Sequence, residues 1–281
     1  MHPAPLLSVR GLTVSYRRAG QCTTALAGAD LDLPVGGRLA LIGESGSGKS
    51  TLAMAVCGLL PDSAKLTGHI AFPALPGNPV LGRDIGVVFQ APGGSLNPVL
   101  TIGEQIAEVL VVHRGLGWRA AKSEAIRLLG RMQIPDPAGS VRAYAHQFSG
   151  GQRQRIALAA ALAASPALLV ADEPTSALDS VVQGELVRLL DALVREEGLS
   201  LLFISHDIAL ASDLADQVAV LRGGMLVEAG PAAAVLGAPA HPYTRALIAT
   251  RLDLDTPPAA RLAEIDPVDF SVFRPPARTH G

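Results

Sequence analysis

The sequence predicts an α/β fold, in which a mainly parallel sheet carries helices on its faces and a helical subdomain is inserted into it. Three observations predict it. Short apolar runs recur at RLALIG (38–43), IGVVFQ (85–90), ALLVADEP (167–174) and LSLLFISHD (199–207), as strands buried on both faces do. Segments of helical length lie between them, which implies crossover connections and parallel pairing. A block over about 100–163 is mainly helical and interrupts the alternation.

Each element has its own reason. LLSVRGLTVSY (6–16) alternates apolar and polar residues and reads as a strand. ALAGADLDLPVGG (25–37) reads as a second strand ending in a Pro/Gly turn. RLALIG is a buried strand, followed by ESGSGKS and then by TLAMAVCGLL, which has helical length and composition. Residues 61–83 are rich in proline and glycine and read as loop with short edge strands. IGEQIAEVLVV and AAKSEAIRLLGRM space their apolar residues helically within 102–133. QRQRIALAAALAA (152–164) is a helix that starts just after Gly150 and Gly151 and ends before Pro166. VVQGELVRLLDALVREE is an amphipathic helix, and His206 closes the strand before it meets Asp207. DQVAVLRGGMLVEAG reads as a hairpin turning at Gly223-Gly224. The proline- and arginine-rich residues 251–281 have weak periodicity and read as a poorly ordered tail.

Composition narrows the function classes. Hydrophobic residues make up 49 % of the 281 residues and charged residues 17 %, against a usual ~25 %. The formal net charge is −2, so no global basic field draws the chain to nucleic acid or acidic lipid. MHPAPLLSVRG lacks a charged stretch followed by an apolar one, so no signal peptide is expected. The longest apolar stretch, 156–171, is broken by Ser165-Pro166 and falls short of the ~20 residues of a membrane helix. Cys22 and Cys57 have neither the spacing of a zinc site nor a disulfide framework, and Cys57 reads as a small core residue. A reduced, cytosolic chain is expected.

The motifs carry the chemistry. GESGSGKST (43–51) fits G-x-x-x-x-G-K-[ST] between a strand and a helix, the context that motif needs. Gly46 and Gly48 let backbone amides wrap a β-phosphate. Lys49 brings a point charge to the β- and γ-phosphates, and Ser50 offers a hydroxyl to Mg²⁺. LLVADE (168–173) ends a buried strand in Asp172, placed to hold Mg²⁺, and in Glu173, placed as general base for an attacking water. His206, at the end of another strand, is placed to reach a γ-phosphate, although a lone histidine is more often structural. Gln90 ends IGVVFQ as a polar strand end. FSGGQRQR (148–155) puts a serine and two glycines at a helix start. That suits an anion docking on free amides, or a plain helix cap.

Taken together, these residues resemble the nucleotide-binding subunit of an ATP-binding cassette (ABC) transporter. Tyr16, Gly43–Ser50, Gln90, Ser149-Gly150-Gly151-Gln152, Asp172-Glu173, Ser176-Ala177-Leu178-Asp179 and His206 stand in that family's order, across about residues 6–250. The resemblance implies a P-loop NTPase core of the RecA-like kind, a small antiparallel β-subdomain, and a helical subdomain at about 91–163. These form one cassette over 1–250, followed by the tail. It implies ATP and Mg²⁺ as ligands. Tyr16 would stack on adenine. Gly43, Glu44, Ser45, Gly46, Ser47, Gly48, Lys49, Ser50 and Thr51 would hold the phosphates. Ser50, Gln90 and Asp172 would serve the metal, and Glu173, His206, Gln90 and Lys49 the hydrolysis. Ser149, Gly150, Gly151, Gln152 and Asp179 would complete the site of a second cassette, docked head to tail.

Two stretches resemble the importers of oligopeptides, dipeptides and nickel in particular: QAPGGSLNPVLTIGEQIAE (90–108) and APAHPYTRALIAT (238–250). The implied assembly has two transmembrane permeases, a second ABC ATPase (a different chain, or a second copy of this one) and a separate substrate-binding protein. It stands at the cytoplasmic face of the inner membrane and involves no nucleic acid. Residues 69–84 are shorter than the family's usual stretch, and Phe148 stands where leucine is common. Many relatives hold an iron–sulfur cluster on C-terminal cysteines; this tail has none, so no cluster is expected. The alternative is an ABC ATPase acting on nucleic acid or ribosomes, which usually carries two cassettes or a long coiled coil.

Overall fold

A computed structural model of the chain describes residues 4–18, 21–89, 96–175 and 180–252. Two sheets organise it. The larger has six strands in the order β5 (Ile85–Val88), β6 (Leu168–Asp172), β7 (Ser200–Ile204), β3 (Arg38–Ile42), β8 (Gln217–Arg222) and β9 (Met225–Pro231). All its pairings are parallel except β8–β9. That hairpin turns on Gly223 and Gly224 at φ 53° and 83°, where glycine carries no Cβ penalty. The smaller sheet is antiparallel, in the order β2 (Gln21–Leu33), β1 (Leu7–Arg18), β4 (Ala64–Ala71).

The period of two along each strand divides the core between the two faces of the large sheet. Ala40, Ile42, Leu169, Ala171, Leu201 and Phe203 face the helical layer. It holds α2 (Ile102–Arg114), α3 (Trp118–Arg131), α5 (Gly150–Leu162), α6 (Ser180–Glu197), α7 (Ile208–Leu214) and α8 (Ala232–Gly237). Leu39, Leu41, Leu168, Val170, Leu202 and Ile204 face α1 (Lys49–Val56) and the small sheet. The central strands are therefore apolar on both faces between their polar ends (Arg38, Asp172 and Ser200), the reason they read as hydrophobic runs. A short turn of helix, α4 (Pro137–Ser140), and a last helix, α9 (Pro242–Leu252), complete the set. No helix among the described residues is long and apolar enough to cross a membrane.

One expectation is met and two are corrected. Residues 61–83, read as loop with short edge strands, do contain an edge strand, the eight-residue β4, which pairs along β1. None of its side chains is fully buried, but Ala64, Leu66 and Ile70 alternate with Lys65, Thr67 and His69, and Ala64 and Ile70 pack against the core. Helix α5 begins at Gly150, two residues earlier than expected, because Ser149 and Gln152 form a capping box that sets the glycines in its first turn. Strand β7 ends at Ile204, so His206 stands in the turn before α7.

Candidate functional site

Parallel strands bring their carboxyl ends to one edge of a sheet, where open α/β folds bind ligands. Here β6, β7 and β3 are consecutive, and the residues just after them meet. The Glu173 N–H donates to the Ile204 carbonyl at 3.0 Å, and the Ser205 N–H donates to the Leu41 carbonyl at 3.2 Å. These two bonds tie each post-strand turn to its neighbour. They fix Glu173, His206 and the loop that starts at Gly43 around one cavity of about 290 Å³. Gly43, Glu44, Ser45, Lys49, Glu173 and His206 line it, and Ile208 and Leu247 give it an apolar wall.

The glycine loop is shaped by what it touches. Gly43 stands at φ 146°, and a Cβ there would lie 2.1 Å from the Leu221 carbonyl oxygen. Gly48 caps α1 at φ 103°, and a Cβ there would lie 2.5 Å from the Ala25 carbonyl oxygen. Gly46, at φ 78°, has nothing within 4 Å of its Cβ position, so its freedom serves the turn and the space over it. The Lys49 ammonium, buried under the loop, donates to the carbonyls of Gly43 at 2.9 Å and Glu44 at 2.7 Å. It also reaches the Ser47 hydroxyl at 3.4 Å. Burial draws its pKa below the ordinary lysine value, against the opposing pull of Glu173, Asp172 and Glu44. Burial likewise pushes Asp172 above the usual carboxylate range, opposed by the Ser50 hydroxyl that bonds to it and by Lys49.

Glu173 occupies the left-handed region at φ 48°, a strained conformation for a residue with a side chain. Its carboxylate lies 3.2 Å from the His206 Nδ1. Asp207, next in the chain, caps α7 by accepting the Ala209 and Leu210 N–H groups, and accepts Gln183 Nε2–H from α6 at 2.8 Å. His206 is thereby held between a strand end and a capped helix. Among the described residues, the hydrogen-bonded Ser50 and Asp172 are oxygen donors that could hold a divalent cation, and no cluster of three or more acidic, His or Cys side chains suited to a metal exists there. A hard cation that keeps several waters and takes phosphate oxygens suits such a sparse set.

The remaining expected residues fall elsewhere. Tyr16 on β1 is half-buried, its hydroxyl 3.4 Å from the Thr51 hydroxyl on α1, so the small sheet borders the phosphate loop. Ser149 is exposed at the start of α5, which packs on β5, α2 and α3 in the helical layer. Its Oγ accepts the Gln152 N–H at 3.3 Å, and the Gln152 carbonyl oxygen Oε1 accepts the Ser149 N–H at 3.0 Å. The serine is thus a cap, and Gly150 and Gly151 carry first-turn amides of the kind a helix leaves without internal partners. Gln90 and Asp179 lie outside the described residues.

Sequence reading missed the braces behind the glycine loop. The Gly224 N–H donates to the Ser47 carbonyl at 3.1 Å, so the β8–β9 hairpin supports the loop. The Glu44 N–H donates to the Tyr243 hydroxyl at 3.0 Å. The first brace had a faint signal, a Gly-Gly turn; the second spans 199 positions and had none.

A family model for ABC transporters matches residues 26–176. The chain belongs to the ABC transporter family. Among curated ABC proteins, the Dipeptide transport ATP-binding protein DppD of Bacillus subtilis is 39% identical, over 96% of this chain and 84% of that protein. A putative peptide import ATP-binding protein of Brucella abortus is 42% identical, over 90% of this chain and 79% of that one. Among solved structures, a dimeric ATP-binding cassette in a post-hydrolysis state with ADP and Pi superposes with a TM-score of 0.71 at 28% identity. That match covers 80% of this chain and 98% of the other. The fold is that of an ABC ATPase cassette.

Proposed function

We propose that this chain is the ATP-binding and hydrolysing subunit of an ABC importer of di- or oligopeptides. The observation that carries the reading is the convergence of Lys49, Asp172, Glu173 and His206 with the glycine loop at one sheet edge. Lys49 places its charge against the β- and γ-phosphates, and the amides of residues 45–50 wrap the β-phosphate. Ser50 and Asp172 hold Mg²⁺, which when bound neutralises charge on the β- and γ-phosphate oxygens. Glu173 orients a water in line with the γ-phosphate and takes its proton, while His206 steadies the Glu173 carboxylate and faces the same phosphate. Tyr16 stacks on adenine.

The burial of Lys49 and Asp172 supports this. The lysine is desolvated and gains from an added anion; the aspartate is desolvated and gains from an added cation. Mg²⁺ with a triphosphate brings both. Ser149, Gly150 and Gly151 then close on ATP held by the second ATPase of the assembly, and the closing and opening of that pair drive two permeases. The cargo reaches the permeases from a separate binding protein. The names of the curated relatives favour peptides over nickel as that cargo.

Capture of the tagged chain from its native membrane in mild detergent tests the reading. Two multi-span proteins and a second ABC ATPase should co-purify, and the accompanying binding protein should bind short peptides. Recovery with ribosomes or nucleic acid and no membrane protein would overturn the importer.

A further inference from the structure

We infer that Tyr243 is a positioning residue of the ATP site, which makes the last helix a working part of the phosphate loop. The inference deepens the ATPase reading and rests on it. The Tyr243 hydroxyl accepts the Glu44 N–H at 3.0 Å, at the second residue of the glycine loop. The neighbouring carbonyls, of Gly43 and Glu44, are the two that hold the Lys49 ammonium. One peptide unit therefore stands between tyrosine and lysine, and any rotation of it shifts both.

The tyrosine is itself held from several sides. Arg222, the last residue of β8, lies over its ring, 4.9 Å from the centroid. Leu221, just before it, presses its carbonyl against Gly43. The start of α9 is fixed by Glu228 on β9, whose carboxylate accepts the N–H groups of Ala240 at 2.8 Å and His241 at 3.1 Å. His241 Nδ1 accepts the Tyr243 N–H at 3.1 Å. One turn further along α9, Leu247 lines the cavity that holds Lys49, Glu173 and His206. The ring has little freedom, so its hydroxyl is a fixed post and not a swinging contact. Pre-set loop geometry lowers the cost of ordering the site around phosphate. Its loss should weaken ATP binding and leave the chemical step largely intact, since Tyr243 stands behind the loop and not at the reacting atoms.

The test is Tyr243→Phe in the full chain, with Tyr243→Ala beside it. A fluorescent ATP analogue with Mg²⁺ gives Kd, steady-state hydrolysis gives KM and kcat, and thermal melting gives stability. The phenylalanine variant should keep the ring and its melting temperature. Its Kd and KM should rise about three- to ten-fold with kcat within about two-fold, the size of one lost hydrogen bond. The alanine variant should show the larger rise in Kd and a lower melting temperature. If Tyr243→Phe binds and turns over like the wild type, while Tyr243→Ala only melts earlier, the residue merely packs α9 and the inference fails. If the wild type itself does not bind the analogue, the ATPase reading fails instead.

Discussion

Replacing Gly43 by alanine should damage the fold, whereas replacing Gly46 should damage the function. At Gly43 a Cβ would meet the Leu221 carbonyl oxygen at 2.1 Å and the Ser47 Oγ at 2.9 Å. Normal contact between carbon and oxygen needs about 1 Å more than the shorter distance. The obstructing atom is backbone of β8, held between β3 and β9, so it cannot move without disturbing two ladders. The φ of 146° adds strain. Backbone strain of ~1–3 kcal/mol and overpacking of ~1–3 kcal/mol sum to roughly 2–6 kcal/mol. At ~2–4 °C per kcal/mol for a domain of this size, a midpoint fall of ~10 °C is expected. At Gly46 nothing stands within 4 Å of the added carbon, so only the φ of 78° costs, ~1–2 kcal/mol. The methyl there would instead stand in the path of phosphate. Calorimetry and nucleotide titration on both variants decide the matter. A Gly46→Ala variant that melts below Gly43→Ala, or that binds ATP normally, would refute the reasoning.

Other outcomes follow from the same geometry. Burial raises the folded-state pKa of Asp172 above its unfolded value, so on acidification the folded chain takes that proton first. The ionised group therefore costs stability at neutral pH, and the cost is relieved as pH falls through the folded pKa toward 3.8. Asp172→Asn should raise the melting temperature at neutral pH while abolishing Mg²⁺-dependent hydrolysis; retained turnover without any gain in stability would contradict this. Ser149→Ala removes the cap of α5 and should cost ~1 kcal/mol, with a melting shift of a few degrees and a larger loss of ATP turnover in the assembled transporter. Turnover unchanged in that assembly would argue that the serine only caps. Burial pushes the Cys57 thiol up to about 12. A thiol reagent at pH 8 should therefore label exposed Cys22 at once and Cys57 only after unfolding, as peptide mapping would report.

Much of this was legible in the sequence, for physical reasons that differ by element. Strands β3, β6 and β7 are buried on both faces, and that burial writes itself as four or five consecutive apolar residues. The glycine loop announces itself because its backbone conformations exclude most other residues. Asp172 and Glu173 stand out as charges that end such a run. Strand β4 was less visible. Lys65, Thr67 and His69 do alternate with Ala64, Leu66 and Ile70, but Gly68 interrupts the apolar side and proline- and glycine-rich residues surround the strand; Gly68 is packed against the Gly11 backbone. The start of α5 was misplaced because glycines read as helix breakers, while the Ser149–Gln152 capping box outweighs that preference. The Tyr243 contact depends on the folded path of β8, β9 and α9, and no local pattern encodes it.

Glu173 as the base of an ATP-hydrolysing site is the residue assignment on which the function rests. The most direct test compares the wild type and Glu173→Gln in paired measurements of ATP binding and phosphate release. The amide keeps the shape of the side chain beside His206 but cannot take a proton. The variant should bind ATP at least as tightly as the wild type and lose about 10²-fold or more in turnover. Equal rates in the two proteins, or failure of both to bind ATP, would contradict that assignment.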